Sequence, residues 1–250
     1  MAIQALASLC LAKAWPHSRA LKLGICAAID MRLALFDLDH TLLNGDSDQL
    51  WCDFLIDKDL LDKDIFSAKN EAMARDYKSG AVDVQAFCEF YIGTLTLKSP
   101  ADWELLRQEF LSGWVAPRLC AGGQAQIKAH QAKGDLVVIT TATNRFITEL
   151  TATHLGVQNL LATEAEMQGG LFTGKTAGIL NMREGKVSRL KMWCKENNLD
   201  WADLETWGYS DSINDLPLLT AVTHATVTQG DMKLRAEAAK RGWPQIDWFE

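Results

Sequence analysis

The chain has 250 residues, 48% apolar and 23% charged, with a formal net charge of −7. That length buries a core without staples and suits one domain with an insertion, or two small ones. The acidic balance, without a Lys or Arg cluster, argues against a nucleic-acid partner, and no run of about 18 apolar residues offers a membrane span.

Residues 1–30 open the chain with an apolar stretch from Ala5 to Trp15. His17, Arg19 and Lys22 follow that stretch instead of preceding it, the wrong order for a secretory signal. Met31 stands directly before a strong strand and reads as the true start. Residues 1–30 are therefore expected to be a dispensable N-terminal extension without regular structure. Cys10, Cys26, Cys52, Cys88, Cys120 and Cys194 show no zinc or redox spacing. They read as free thiols in a reducing compartment, and the expected location is cytoplasmic.

Arg32–Phe36 is a short, continuous apolar run of the kind found in parallel strands covered on both faces. It ends on Asp37-Leu38-Asp39-His40-Thr41. From Asp46 to about Trp114 the apolar spacing becomes helical: Leu50, Phe54 and Leu55, then Phe87, Phe90 and Tyr91, then Leu105, Leu106 and Phe110. Gly80 and Lys98-Ser99-Pro100 punctuate it, so several helices are expected. Alternation follows: a helix over 124–133 stopped by Gly134, a strand over 136–140, a helix over 146–155 and a glycine-rich hairpin over 169–178. A helix over 187–197, strands over 206–210 and 225–228, and a helix over 233–240 complete the chain. Strands alternating with helices predict a parallel, right-handed α/β sheet.

Ligands in open α/β sheets bind at the carboxyl ends of the strands. Polar groups fall there in four places: Asp37 and Asp39, then Thr141, then Lys186 at a helix start, then Asp211 and Asp215. Converging carboxylates repel unless a cation sits between them. Hard oxygen ligands without His or Cys favour Mg²⁺ over zinc. A threonine hydroxyl and a lysine ammonium suit phosphate oxygens, and metal plus lysine would supply the positive charge an acidic chain lacks. A carboxylate beside a held phosphate can attack phosphorus. A second one, two residues on, can protonate the leaving oxygen and later activate water. Singly, each residue has a plainer reading as a turn, cap or solvated group, with Asn144 capping a helix after Thr141. The ordered set is what argues for chemistry. His40 has no role in this reading.

The run from Phe36 to Leu42 resembles the first motif of the haloacid dehalogenase (HAD) superfamily. Thr141 matches the second, Lys186 the third, and Asp211 with Asp215 the fourth. Thr141-Ala142-Thr143-Asn144, Arg183-Glu184-Gly185-Lys186-Val187 and the run from Ser210 to Pro217 look like the phosphoserine phosphatase-like subgroup IB, in its histidinol-phosphatase-like bacterial branch. The resemblance implies an α/β fold, a Rossmann-like core over 31–43 and 117–250, with a helical cap over 44–116. It implies Asp37 as nucleophile and Mg²⁺ ligand, Asp39 as general acid/base and ligand through its carbonyl, and Asp211 as third ligand. Thr141 and Lys186 would hold the phosphoryl group, Asp215 would orient Lys186 or a metal water, and Asn214 would contact substrate. Asp46, nine residues after Asp37, stands where phosphoserine phosphatases place an acid against a substrate amine; its plainer reading is an N-cap.

The activity implied is hydrolysis of a small phosphorylated metabolite, amine-bearing as in histidinol phosphate or phosphoserine. A phosphomutase or phosphotransferase would use the same residues, and an inactive binding module is the rival of another class. A dehalogenase would not need Asp39 as an acid, and a P-type ATPase needs membrane spans. Thr228-Gln229-Gly230-Asp231 departs from the Asn-Pro-Asp that relatives tend to carry.

Overall fold

The computed structural model describes residues 31–79 and 83–249. The expectations for residues 1–30, Cys10, Cys26 and the break at Gly80 lie outside them. Among the described residues a single sheet is built from β1 (Arg32–Phe36), β2 (Leu136–Asn144), β3 (Asn159–Gln168), β4 (Leu171–Ala177), β5 (Glu205–Ser210), β6 (His224–Thr228) and β7 (Gln245–Ile246). The strand order is β4-β3-β2-β1-β5-β6-β7. All neighbours pair parallel except β3 and β4.

β1 is the sheet's hub, with Leu33, Ala34, Leu35 and Phe36 fully buried. Alternate residues point to opposite faces, so Leu33 and Leu35 join one core and Ala34 and Phe36 the other. The ring of Phe36 stacks on Tyr209 of β5, centroids 4.6 Å apart. Each such side chain contributes roughly 1.5–3 kcal/mol on burial.

Between β1 and β2 run α1 (Ser47–Asp57), α2 (Lys63–Ser79), α3 (Val84–Ile92) and α4 (Pro100–Phe110). Short helical turns follow α3 and α4. Trp51, Phe54, Trp103 and Phe110 form an aromatic knot that shares one apolar cluster with Phe36 and Ile139 of the sheet. The indole N–H groups of Trp51 and Trp103 are satisfied by Thr94 Oγ1 and the Leu95 carbonyl.

After the insert come α5 (Ala121–Ala132), α6 (Arg145–His154), α7 (Glu184–Glu196), α8 (Leu216–Ala221) and α9 (Met232–Arg241). Several boundaries differ from the sequence reading. The hairpin expected over 169–178 is only its turn and second strand; its first strand is the far half of β3. The near half of β3 pairs parallel with β2, so one strand serves two partners. β2 continues to Asn144, through an irregularity in its pairing with β3 between Thr141 and Asn144. α8 and β7 were not expected. Cys52, Cys88, Cys120 and Cys194 are free and buried. Among the described residues no helix is long and apolar enough to cross a membrane.

Candidate active site

β1 lies where strand order reverses, with β2 on one side and β5 on the other. Such a switch point opens a crevice at the carboxyl ends of the strands. Asp37, Asp39, His40, Asp46, Asp48, Phe87, Lys186, Asp211, Asn214 and Asp215 all line a cavity there of about 160 Å³.

Asp37 is the first residue beyond β1. Its N–H donates to the Tyr209 carbonyl, and both side-chain oxygens are held. Lys186 Nζ lies 2.7 Å from Oδ1, and Thr41 Oγ1 lies 3.0 Å from Oδ2. Lys186 reaches this point from the first turn of α7. Gly185 permits that approach, because a Cβ there would stand 2.0 Å from the Leu180 carbonyl oxygen. Lys186 Nζ also lies 2.6 Å from Asp215 Oδ2, which accepts from Ser210 Oγ as well. All three side chains are at least nine-tenths buried.

Burial pushes the Asp37 carboxyl up to about 6 against the opposing charge of Lys186. Burial works against the Lys186 charge, but Asp215 and Asp37 outweigh it and hold its pKa above the usual lysine value. Asp211, one residue beyond β5, is pushed up to about 9 by burial and by the charges of Asp37 and Asp215. Thr41 Oγ1 joins the two carboxylates, 3.0 Å from Asp37 and 3.3 Å from Asp211, and accepts the Asp211 N–H. Asp231, in the loop that departs from the family pattern, fixes the same region. Its N–H donates to the Asp211 carbonyl and its Oδ2 accepts from Ile213 N.

Asp39 is held differently. Its Oδ1 accepts from the backbone N–H and the hydroxyl of Ser47 at the start of α1. Its Oδ2 accepts from Thr141 and Thr143 at the end of β2. Burial, then the charge of Asp46, raises its carboxyl above the usual range. Thr141, expected to meet phosphate, is fully buried with its hydroxyl turned to Asp39, and it does not line the cavity. The buried Asn181 amide clamps this strand end by donating to Thr140 Oγ1 and the carbonyls of Thr141 and Leu161.

Asp46 is the N-cap of α1, its Oδ1 accepting from Gln49 N at 2.9 Å, and it also lines the cavity. Asparagine caps a helix as well as aspartate does, whereas alanine loses about 1 kcal/mol. Asp46→Asn should therefore keep the melting temperature of the protein, and Asp46→Ala should lower it by a few degrees. Thermal denaturation of both variants checks this; equal losses would show that the charge, not the cap, is what stabilises.

The sequence reading missed Thr41, Ser47, Asp48, Thr143 and Ser210. The hydroxyls among them sit within or beside the quoted motifs, but nothing in a sequence marks which hydroxyl will face a carboxylate.

The donor set suits a hard divalent ion. Among the described residues no three Asp, Glu, His or Cys side chains group closely enough to hold a metal alone. Asp37 and Asp211 share Thr41, and these two carboxylates with the Asp39 carbonyl would be the residues to hold Mg²⁺, a hard ion that prefers oxygen ligands. Burial first, then neighbouring carboxylates, raises both Asp37 and Asp211, and a bound cation would offset that cost.

A family model described as haloacid dehalogenase-like hydrolase matches residues 34–220. A histidinol-phosphatase of Neisseria meningitidis is 35% identical over 86% of this chain and 98% of its own length. A Bordetella pertussis protein of unknown function has a crystal structure that superposes with a TM-score of 0.84 at 39% identity, covering 87% of this chain and 99% of that one. A substrate-bound phosphoserine phosphatase superposes at 0.61 with 16% identity, over 86% of this chain and 92% of that one, a likeness of fold.

Proposed function

The chain belongs to the haloacid dehalogenase-like hydrolase family and is a phosphatase within it, and from that premise we propose that it hydrolyses small phosphomonoesters in two steps, with Asp37 as nucleophile. The observation that carries this reading is the buried 2.7 Å contact of Lys186 with Asp37 at the switch point. It holds a carboxylate in place beside a buried cation that can neutralise an arriving phosphoryl group.

In the first step an Asp37 oxygen attacks phosphorus, the ester P–O bond breaks, and Asp39 gives its proton to the leaving oxygen. In the second, Asp39 takes a proton from water, whose oxygen attacks phosphorus and frees Asp37 and inorganic phosphate. Burial and the charge of Asp46 raise the Asp39 carboxyl above its usual range, the direction a general acid needs. Lys186, kept oriented by Asp215, stays charged throughout. Bound to Asp37, Asp211 and the Asp39 carbonyl, Mg²⁺ would neutralise charge on the transferring group. Asn214, on the cavity wall, contacts the substrate, and Thr141 supports the phosphoryl end through Asp39. Residues 44–116 act as the cap, contributing Asp46, Asp48 and Phe87 to the cavity lining. The identity with a histidinol-phosphatase and the acidic Asp46 side of the cavity support an amine-bearing metabolite as substrate.

Phosphate release from a panel of phosphomonoesters tests this, with Mg²⁺ and with EDTA. Activity that survives exhaustive chelation would remove the metal from the scheme. Stability provides a second readout. Asp211 has a folded pKa of about 9 against an ordinary 3.8, so across that window the native state binds more protons than the unfolded chain. Metal-free stability therefore falls as pH rises through the window. Mg²⁺ binding only the native carboxylates should raise the melting temperature, and more near pH 8 than near pH 5. A shift of equal size at both pH values would count against Asp211 as a ligand.

A further inference from the structure

We propose that His130 is a positioning residue for the nucleophile: through the hydroxyl of Tyr209 it fixes the last rung between β1 and β5, from which Asp37 and Asp211 diverge. The proposal rests on the phosphatase reading above and adds the buried group that holds its nucleophile in line.

His130, Asp135 and Tyr209 are 2%, 7% and 4% exposed, and none of them lines the cavity. They form one chain of contacts. Arg32, the first residue of β1, donates from Nη2 to Asp135 Oδ2 at 3.3 Å. Asp135 Oδ2 lies 2.6 Å from His130 Nδ1, and His130 Nε2 lies 2.9 Å from the Tyr209 hydroxyl. Gln126 Nε2 donates to the same hydroxyl oxygen at 2.8 Å. This pattern assigns the protons. A carboxylate beside Arg32 only accepts, so the ring carries a proton on Nδ1. Nε2 then accepts from Tyr209, whose oxygen accepts from Gln126.

The imidazole lies against the rings of Phe36, Trp207 and Tyr209, where an apolar side chain would pack without the cost of desolvating a polar one. A fully satisfied buried network adds rigidity instead. What it makes rigid stands next to the chemistry. The Tyr209 ring stacks on Phe36, with planes 12° apart. The Tyr209 carbonyl accepts the Asp37 N–H at 3.0 Å. Phe36 and Tyr209 are the last paired residues of β1 with β5; Asp37 follows Phe36 directly, and Asp211 follows Tyr209 by two residues. A displaced Tyr209 would therefore move the nucleophile relative to both Lys186 and Asp211. Buried polar networks often serve packing alone. This one differs because its end residue carries the backbone acceptor of the nucleophile itself. In-line attack tolerates little error, since a misplacement of about 1 Å can cost about 10²-fold.

Single-turnover release of p-nitrophenolate from p-nitrophenyl phosphate, with Mg²⁺ and with protein in excess, tests this. That leaving group departs without a proton from Asp39, so its rate reports the attack by Asp37. Tyr209→Phe keeps the ring and removes only the hydroxyl. It should lower the rate at saturation by about tenfold or more and leave the half-saturating concentration unchanged. His130→Asn can still donate to Asp135 but cannot reach Tyr209, and it should show the same loss. The double variant should lose no more than either single one, as expected of residues that act through one contact. His130→Gln, whose amide oxygen reaches the position of Nε2, should recover most of the rate. A purely structural role would lower the melting temperature of these variants and leave the rate per folded molecule unchanged. That result, or losses that multiply in the double variant, overturns the proposal alone. Should a His130 variant fail to fold, Tyr209→Phe decides by itself. No p-nitrophenolate release by the wild-type protein overturns the proposal together with the phosphatase reading.

Discussion

Replacing Asp37 by asparagine is expected to lower phosphate release by at least about 10⁴-fold, the scale on which essential members of a catalytic unit act. The amide cannot displace the ester oxygen and leave a hydrolysable acyl phosphate. Acid-quenched wild-type protein incubated with substrate should carry a phosphoryl mass on the peptide containing Asp37, and the variant should carry none. The fold should survive. Lys186 keeps its 2.6 Å contact with Asp215, and one of several mutually repelling buried carboxylates is gone. The metal-free melting temperature should therefore hold or rise. A variant that is folded by this measure and still turns over would sink the covalent route.

The second large effect is expected at Lys186. Replacing it by methionine leaves Asp37 and Asp215 buried and facing each other without the cation between them. Removing one partner of a buried ion pair costs about 3–5 kcal/mol, so the variant should unfold well below the wild type. Turnover should also fall, by about 10²–10³-fold, because the transferring group loses its fixed positive charge. The double variant Lys186→Met with Asp215→Asn separates the two losses. It removes a stranded charge and should regain much of the stability, while activity stays low. Recovery of activity with stability would mean that Lys186 serves only to hold the fold.

Both residues were visible in the sequence because their positions follow from rules that act locally. Asp37 ends an apolar run with no polar interruption, and Lys186 opens a helix after a turn. The parts that escaped notice depend on distant partners. The helix expected over 124–133 begins earlier, through Gly122-Gly123, a pair whose role depends on distant side chains. In the structure α5 runs through both, and a Cβ would meet Trp248 at 2.7 Å or Leu42 at 2.6 Å. β3 was invisible because only Leu160-Leu161-Ala162 is fully apolar, and because the strand changes partner midway. Pro217 reads as a breaker but occupies the first turn of α8, where its missing N–H costs nothing. Thr143 and Asp48 carry no signal apart from the fold. Their meaning lies in facing one another across the end of β2 and the start of α1, 95 residues apart.

The hub position of β1 has a consequence for the chain during synthesis. β1 leaves the ribosome early, yet its two neighbours are β2, about a hundred residues later, and β5, which ends at Ser210. At translation speeds of about 5–20 residues per second, the interval between Phe36 and Ser210 is on the order of ten seconds or more. Through it, four consecutive apolar residues keep one hydrogen-bonding edge, the β5 side, without its native strand. The aromatic helices that follow β1 emerge next and cover the face of Ala34 and Phe36 first. A nascent chain halted before residue 205 would carry the nucleophile but neither Asp211 nor Asp215, and would expose the sheet edge most prone to pair with another molecule.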